Sequence, residues 1–338
     1  MTNPIQKSYE ETVARFQDWL MPNLPWENPL ARLSCNAAMP LALYAHTMGN
    51  PRLAARVLQH IEAEFVRDGR LAQSPDRGNM LPYVPSWILM GSVLSGFTDL
   101  SALLQNDILR FQDPATGGFF GSEAARATAS GAIDFDSTTQ ACAALSLSGE
   151  LAAAERAGQF LKRLVECQPD LERRLLLVWA SPGGLVSEFA VESASTFALE
   201  WSKPKQWLYK IGLLVRAFAL LHRQTGLNQW LALAQQLYAK AVSDSPDLES
   251  NTLAHKMGWA ACILFSLTRQ KEYVEHACGV ASHLASLQQA DGAFHYPELW
   301  RDYSQLRAEQ KINVGCQFAT WIALARDVAA ADPAARVE

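Results

Sequence analysis

Several chemistries are excluded by what this 338-residue chain lacks. It contains no Asp-Asp pair, no Asp-x-Cys, no CxxC, no Gly-x-x-x-x-Gly-Lys, no Rossmann glycine fingerprint in a βαβ setting and no Gly-x-Ser-x-Gly. Without clustered aspartates to hold Mg²⁺, ionisation of a prenyl diphosphate is not expected. Without a thiolate, histidine and carboxylate set, neither is a zinc centre. Nucleotide cofactors and serine hydrolysis fall away with their motifs. The expectation is therefore no cofactor and no metal.

Charge is sparse and balanced: 19% charged residues, 29 Lys plus Arg against 34 Asp plus Glu, net −5. No basic run suggests nucleic acid or a polybasic membrane anchor. No apolar stretch approaches the roughly 20 residues of a membrane span. The N-terminus, Met1-Thr2-Asn3-Pro4-Ile5-Gln6-Lys7, lacks a basic start followed by an apolar run, so no signal peptide is expected. The scattered cysteines (Cys35, Cys142, Cys167, Cys262, Cys278, Cys316) read as reduced thiols, and the chain as cytoplasmic.

What is present is a helical pattern and ten tryptophans. Between Gln270 and Gln289, Val274, Ala277, Cys278, Ala281, Leu284 and Leu287 recur at three- and four-residue steps and form one apolar stripe. The segments near 5–20, 51–67, 97–111, 150–167 and 227–242 behave alike. A second set is apolar all round: 33–48, 85–97, 135–147, 206–223, 253–268 and 312–328. Each of its first five members precedes an amphipathic helix, with stops such as Gly49-Asn50-Pro51 and Thr225-Gly226-Leu227 between them. No run alternates as a strand, so few strands are expected.

These αα-hairpins repeat at a period of about 50 residues, read from Asn36, Trp87 and Asp136. The longer step from Asp136 to Tyr209 points to an insertion at about 170–205. Two outer helices end alike, in Phe111-Gln112-Asp113-Pro114-Ala115-Thr116-Gly117-Gly118-Phe119 and in Leu287-Gln288-Gln289-Ala290-Asp291-Gly292-Ala293-Phe294. Hairpins punctuated by Gln, a glycine turn and an aromatic resemble the α/α toroids of terpenoid cyclases and protein prenyltransferase β-subunits. That resemblance implies an all-α fold, an (α/α)6 barrel spanning residues 1–338 as one domain. Five hairpins are countable, and the inner segment 312–328 is expected to pair with the segment at 5–20 to close the ring. Six-hairpin carbohydrate enzymes share this architecture, so fold alone does not choose the chemistry.

Parallel inner helices would open their N-terminal ends on one side of a central cavity. Tyr83, Trp87, Trp207, Trp259 and Asn313 are placed there as substrate-binding residues. Ile133-Asp134-Phe135-Asp136-Ser137-Thr138-Thr139 is similar to the Asp-x-Asp-Asp-Thr motif of protonation-initiated terpene cyclases, with Ser137 in place of the last aspartate. The resemblance makes Asp136 the general acid and Asp134 its paired carboxylate. Two neighbouring carboxylates resist joint ionisation, which retains a proton on one of them. Asp136 before Ser-Thr-Thr also reads as a helix N-cap. His255 and Tyr209 are the candidate proton acceptors or donors, and the 170–205 insertion reads as a lid or specificity loop.

Three readings follow. The first is a cofactor-free cyclase or isomerase acting on a small hydrophobic substrate, terpenoid or polyketide in kind. The second is a six-hairpin glycoside hydrolase, lyase or epimerase. The third is a non-catalytic scaffold, favoured if side chains plug the barrel axis. No motif addresses the oligomeric state.

Overall fold

The computed structural model describes residues 4–28, 30–72 and 81–331. Its helices are α1 (Pro4–Leu20), α2 (Cys35–Ala38), α3 (Leu41–Thr47), α4 (Pro51–Phe65), α5 (Tyr83–Leu94), α6 (Thr98–Leu109), α7 (Glu123–Thr128), α8 (Phe135–Ser148), α9 (Leu151–Glu166), α10 (Ala194–Phe197), α11 (Tyr209–Thr225), α12 (Asn228–Asp244), α13 (His255–Thr268), α14 (Lys271–Ser286) and α15 (Ala308–Ala331). The expected inner segment 33–48 is two pieces, α2 and α3, interrupted at Met39-Pro40 because proline has no N–H to continue the ladder.

The ring closes. Inner helices α3, α5, α8, α11, α13 and α15 each pack on the next, and α15 returns to α3. Each inner helix carries an outer one: α4, α6, α9, α12 and α14 in turn, with α1 against α15. The fold is an (α/α)6 barrel. The all-round apolar segments became the inner ring because both of their faces are covered, while the striped helices cover them from outside.

The Gln–Gly–aromatic motif is a staple between neighbouring hairpins. Gln112 donates through Nε2 to the carbonyls of Gly117 and of Ala153 in α9, both at 2.9 Å. Gln288 repeats this with Gly292 at 2.9 Å and Thr12 of α1 at 2.8 Å. The two glycines have positive φ, and a Cβ on either would lie 2.5 Å from a carbonyl oxygen of the neighbouring outer helix, Arg156 or Arg15. The second staple ties the last outer helix to the first, so the motif helps close the ring.

Strands are few and short, as the sequence suggested. β1 (Val66–Arg67) pairs with β2 (Arg70–Leu71), and β3 (Gly131–Ile133) leads into α8. The insertion supplies β4 (Arg174–Leu176), β5 (Trp179–Ser181), β6 (Gly184–Leu185) and β7 (Ala198–Glu200). β5 pairs antiparallel with β3 and with β6, and β4 with β7. The insertion is thereby fastened to the strand immediately before Asp134.

Halfway down the axis the barrel is filled. Trp259 stacks on Trp321 at 4.1 Å and on Trp87 at 5.6 Å, and the Arg216 guanidinium lies 4.0 Å over Trp259. Cavities lie toward both ends of the barrel.

Candidate active site

The N-terminal ends of the inner helices bring charged groups together. Gly212 sets the α11–α13 approach, since a Cβ there would lie 2.4 Å from the Lys256 carbonyl carbon. On α8, Asp136 is 4% exposed, and its Oδ2 accepts from Lys210 Nζ at 2.7 Å and from the Tyr209 hydroxyl at 3.0 Å. On α13, the His255 Nδ1–H donates to the Thr252 carbonyl at 2.9 Å. A carbonyl only accepts, so the proton sits on Nδ1 and Nε2 is left to accept from Lys256 Nζ at 2.9 Å. The rings of Tyr209 and His255 lie 5.8 Å apart and link the two halves.

Electrostatics separates these groups. Burial first, and the Lys256 charge second, hold His255 well below the ordinary imidazole range, so it is neutral at physiological pH. Burial and the Asp136 charge raise the Tyr209 hydroxyl well above its usual value, so it stays protonated.

Asp134 rather than Asp136 is the N-cap of α8: its Oδ1 accepts from the Ser137 N–H at 2.6 Å. The capping alternative for Asp136 is thus corrected by one turn geometry: the cap is the last extended residue, and Asp136 already lies within the first helical turn. Burial, then the nearby Asp136 charge, pushes Asp134 up to about 6.

Asp134 and Lys210 line one cavity of about 560 Å³, between the α7–β3 segment and the insertion. Phe135, Leu177, Val178 and Phe197 form its apolar walls. The insertion predicted over the mouth contributes three of those four. This volume lies within the usual range of small-ligand sites, about 300–1,000 Å³.

The other residues expected at the mouth separate. Tyr83 is buried with its ring 6.2 Å from Trp87. Trp87 and Trp259 belong to the axial layer, and Trp259 lines a cavity at the opposite end, because its position one turn into α13 carries it past the mouth. Trp207 precedes α11 and is 38% exposed; it does not line the cavity, but its ring lies 5.7 Å from the Tyr209 ring and 5.9 Å from Lys210 Nζ. Asn313 donates through Nδ2 to the Asn36 carbonyl across the α15–α2 seam, and its Oδ1 accepts from Gln317 Nε2 at 3.0 Å, so its amide is engaged structurally.

Sequence reasoning passed over Lys210 and Arg216, and placed Lys256 at the mouth without giving it a role. Their signal was a cation on a helix that is otherwise apolar on every face, where a charge is retained only with a partner or a function. Among the described residues no group of three or more His, Cys, Asp and Glu side chains is arranged to hold a metal ion. No described helix is long and apolar enough to cross a membrane.

Comparison places this architecture among known ones. The chain is similar to a D-mannose isomerase structure at TM-score 0.65 and 10% identity, over 96% of this chain and 99% of that one. An α-1,6-mannanase from Salegentibacter sp. superposes at TM-score 0.65 and 13% identity, over 95% and 99%. A type II terpene cyclase from Scytonema, solved with geranylgeranyl dihydroxybenzoate, superposes at TM-score 0.59 and 12% identity, over 96% and 99%. The shared property is the fold. Terpenoid cyclases are one of several neighbours, alongside the mannanases and the isomerase. No protein-family model matches the chain, and no curated protein sequence matches it either.

Proposed function

We propose that the protein is a carbohydrate-active enzyme that moves a proton beside a sugar carbonyl, as an isomerase or epimerase. The observation that carries this reading is Asp134 and Lys210 facing one cavity, a carboxyl group poised near 6 beside an ammonium. Asp134 takes the proton from the carbon next to the carbonyl. The C–H electron pair becomes the C=C bond of an enediolate, and the charge that develops on the carbonyl oxygen is met by Lys210. Return of the proton to the neighbouring carbon, with the hydroxyl proton passing from one oxygen to the other, gives the isomer; reprotonation of the original carbon from its opposite face by a second donor gives the epimer. Asp136 and Tyr209 position Lys210 through the bonds that hold Asp136 Oδ2.

Ser130, Asp134, Thr196 and Lys210 line the cavity with polar groups that a sugar's oxygens can meet. A D-mannose isomerase and mannanases share the fold, which is consistent with that choice. Hydrolysis is less well supported, because one neighbouring mannanase is inactive in a variant lacking two adjacent aspartates, and this chain has no such pair.

A second reading is favoured by the apolar walls Phe135, Leu177 and Phe197. In it, protonated Asp134 starts the cyclisation of a small hydrophobic molecule, taking the acid role that the motif suggests for Asp136. Asp136 is the weaker acid candidate because it accepts from Lys210 and Tyr209.

The test is deuterium wash-in from D2O at the carbon beside the carbonyl, followed by NMR across a panel of aldoses and ketoses. Asp134→Asn retains a good N-cap, so it should keep the helical circular dichroism and lose exchange. Exchange at the wild-type rate in that variant, or no exchange with any sugar in the wild type, overturns the proposal.

A further inference from the structure

The axis has a second cavity, of about 520 Å³, at the end where the inner helices finish. It is separated from the Asp134–Lys210 cavity by the layer of Trp87, Trp259, Trp321 and Arg216. Leu43, Met90, Leu94, Leu220, Phe265 and Leu324 form its walls, with Trp259 also contributing. Leu94 is 36% exposed and Leu324 half-buried at its opening, while Leu43, Met90, Leu220 and Phe265 are buried.

The rim carries His46, Arg223, Arg269 and Asp327. Arg326 holds Asp327 with two bonds, of 2.7 and 2.9 Å. Neither Arg223 nor Arg269 has an acidic partner among the described residues. Arg269 has φ 61°, the left-handed region, at the end of α13. Glycines, Gly149 and Gly226, take that conformation at the ends of α8 and α11. A side chain there costs roughly 1 kcal/mol or more, and the side chain retained at that cost is a guanidinium on the cavity rim. The converging helix C-termini would by themselves attract a cation, whereas two whole positive charges on α11 and α13 make this edge attractive to an anion.

We propose that this end of the barrel binds a free single-chain amphiphile, a hydrocarbon tail in the apolar cavity and a carboxylate head between Arg223 and Arg269. An apolar cavity with a few convergent charged groups has the composition of a small-molecule site, and guanidinium groups pair with carboxylates in fork geometry. The inference does not depend on the chemistry at the other mouth.

Titration calorimetry with laurate tests it on the full chain, with dodecyltrimethylammonium as the cationic counterpart. Laurate should bind at one per chain and the cation at least tenfold more weakly. Arg223→Ser with Arg269→Gly should weaken laurate at least tenfold, and Leu324→Trp should abolish binding by filling the cavity. Arg269→Gly alone should raise the melting temperature while lowering affinity, a combination that a purely structural arginine would not give. Equal binding of the cation, or laurate binding unchanged by Leu324→Trp, overturns the proposal. So does tighter association with anionic vesicles than with free laurate, or a dimer in light scattering that Leu324→Trp disperses, since the occupant would then be a membrane or a second copy.

Discussion

Lys210 Nζ and Asp136 Oδ2 meet at 2.7 Å across the seam between α8 and α11, with both residues under a tenth exposed. The pair joins two inner helices whose positions in the chain are separated by the whole insertion. Removing one partner of such a pair leaves a buried charge alone, at a cost of about 3–5 kcal/mol. Lys210→Met and Asp136→Asn should each lower unfolding stability by about that much. The double variant should recover most of the loss, and a denaturant double-mutant cycle reads the coupling directly.

The pH dependence of turnover separates the two functional readings. Asp134 sits at about 6. If it accepts a proton from a sugar, kcat/KM rises as pH increases through about 6. If it donates a proton to start a cyclisation, kcat/KM falls over the same range. A pH–rate profile with the turned-over substrate gives the sign.

Stability should respond to pH through two groups that act in opposite directions. Asp134 has a folded-state value above its unfolded one, so the folded chain binds the extra proton and stability falls as pH rises from about 4 to about 6. His255 has a folded-state value below 6.5, so the unfolded chain binds the extra proton and stability falls as pH drops below 6.5. Asp134→Asn should remove the first slope and leave the second. His255→Gln should do the reverse. Urea midpoints measured from pH 4 to pH 8 check both.

The staples make a further expectation. Gln288→Ala would strip the donor from the Thr12 and Gly292 carbonyls, at about 1 kcal/mol for each half-buried bond lost. Gln112→Ala should cost a similar amount through Gly117 and Ala153. Because Gln288 bridges the last and first outer helices, its loss should also raise amide exchange in α1 beyond the change seen in α9. Hydrogen–deuterium exchange mass spectrometry resolves the two segments.

Much of the architecture was legible along the chain because its causes are local. The 3.6-residue stripe between Val274 and Leu287 marks an outer helix, the all-round apolar run at 255–268 an inner one, and the Gln–Gly–aromatic pair marks the hairpin seams. Met39-Pro40 is the exception: a continuous apolar pattern hid a break that backbone chemistry imposes.

The site was only partly legible. Asp134, Asp136, Tyr209 and His255 stood out by type and by position near helix starts, and they do converge on one end of the barrel. Trp259 shared those credentials and went into the axial layer, because a first-turn position does not specify the direction of a side chain, whereas Trp207 stays beside Tyr209 and Lys210.

By itself the sequence determined the helical repeat, the inner and outer sets and the end of the barrel where carboxylates gather, since periodicity and capping act within a few residues. Tertiary structure alone decided which cation meets Asp136, that a tryptophan layer divides the axis and that a second cavity lies beyond it. Those outcomes depend on groups such as Asp136 and Lys210, which are distant along the chain and are brought within hydrogen-bonding distance only when the ring closes.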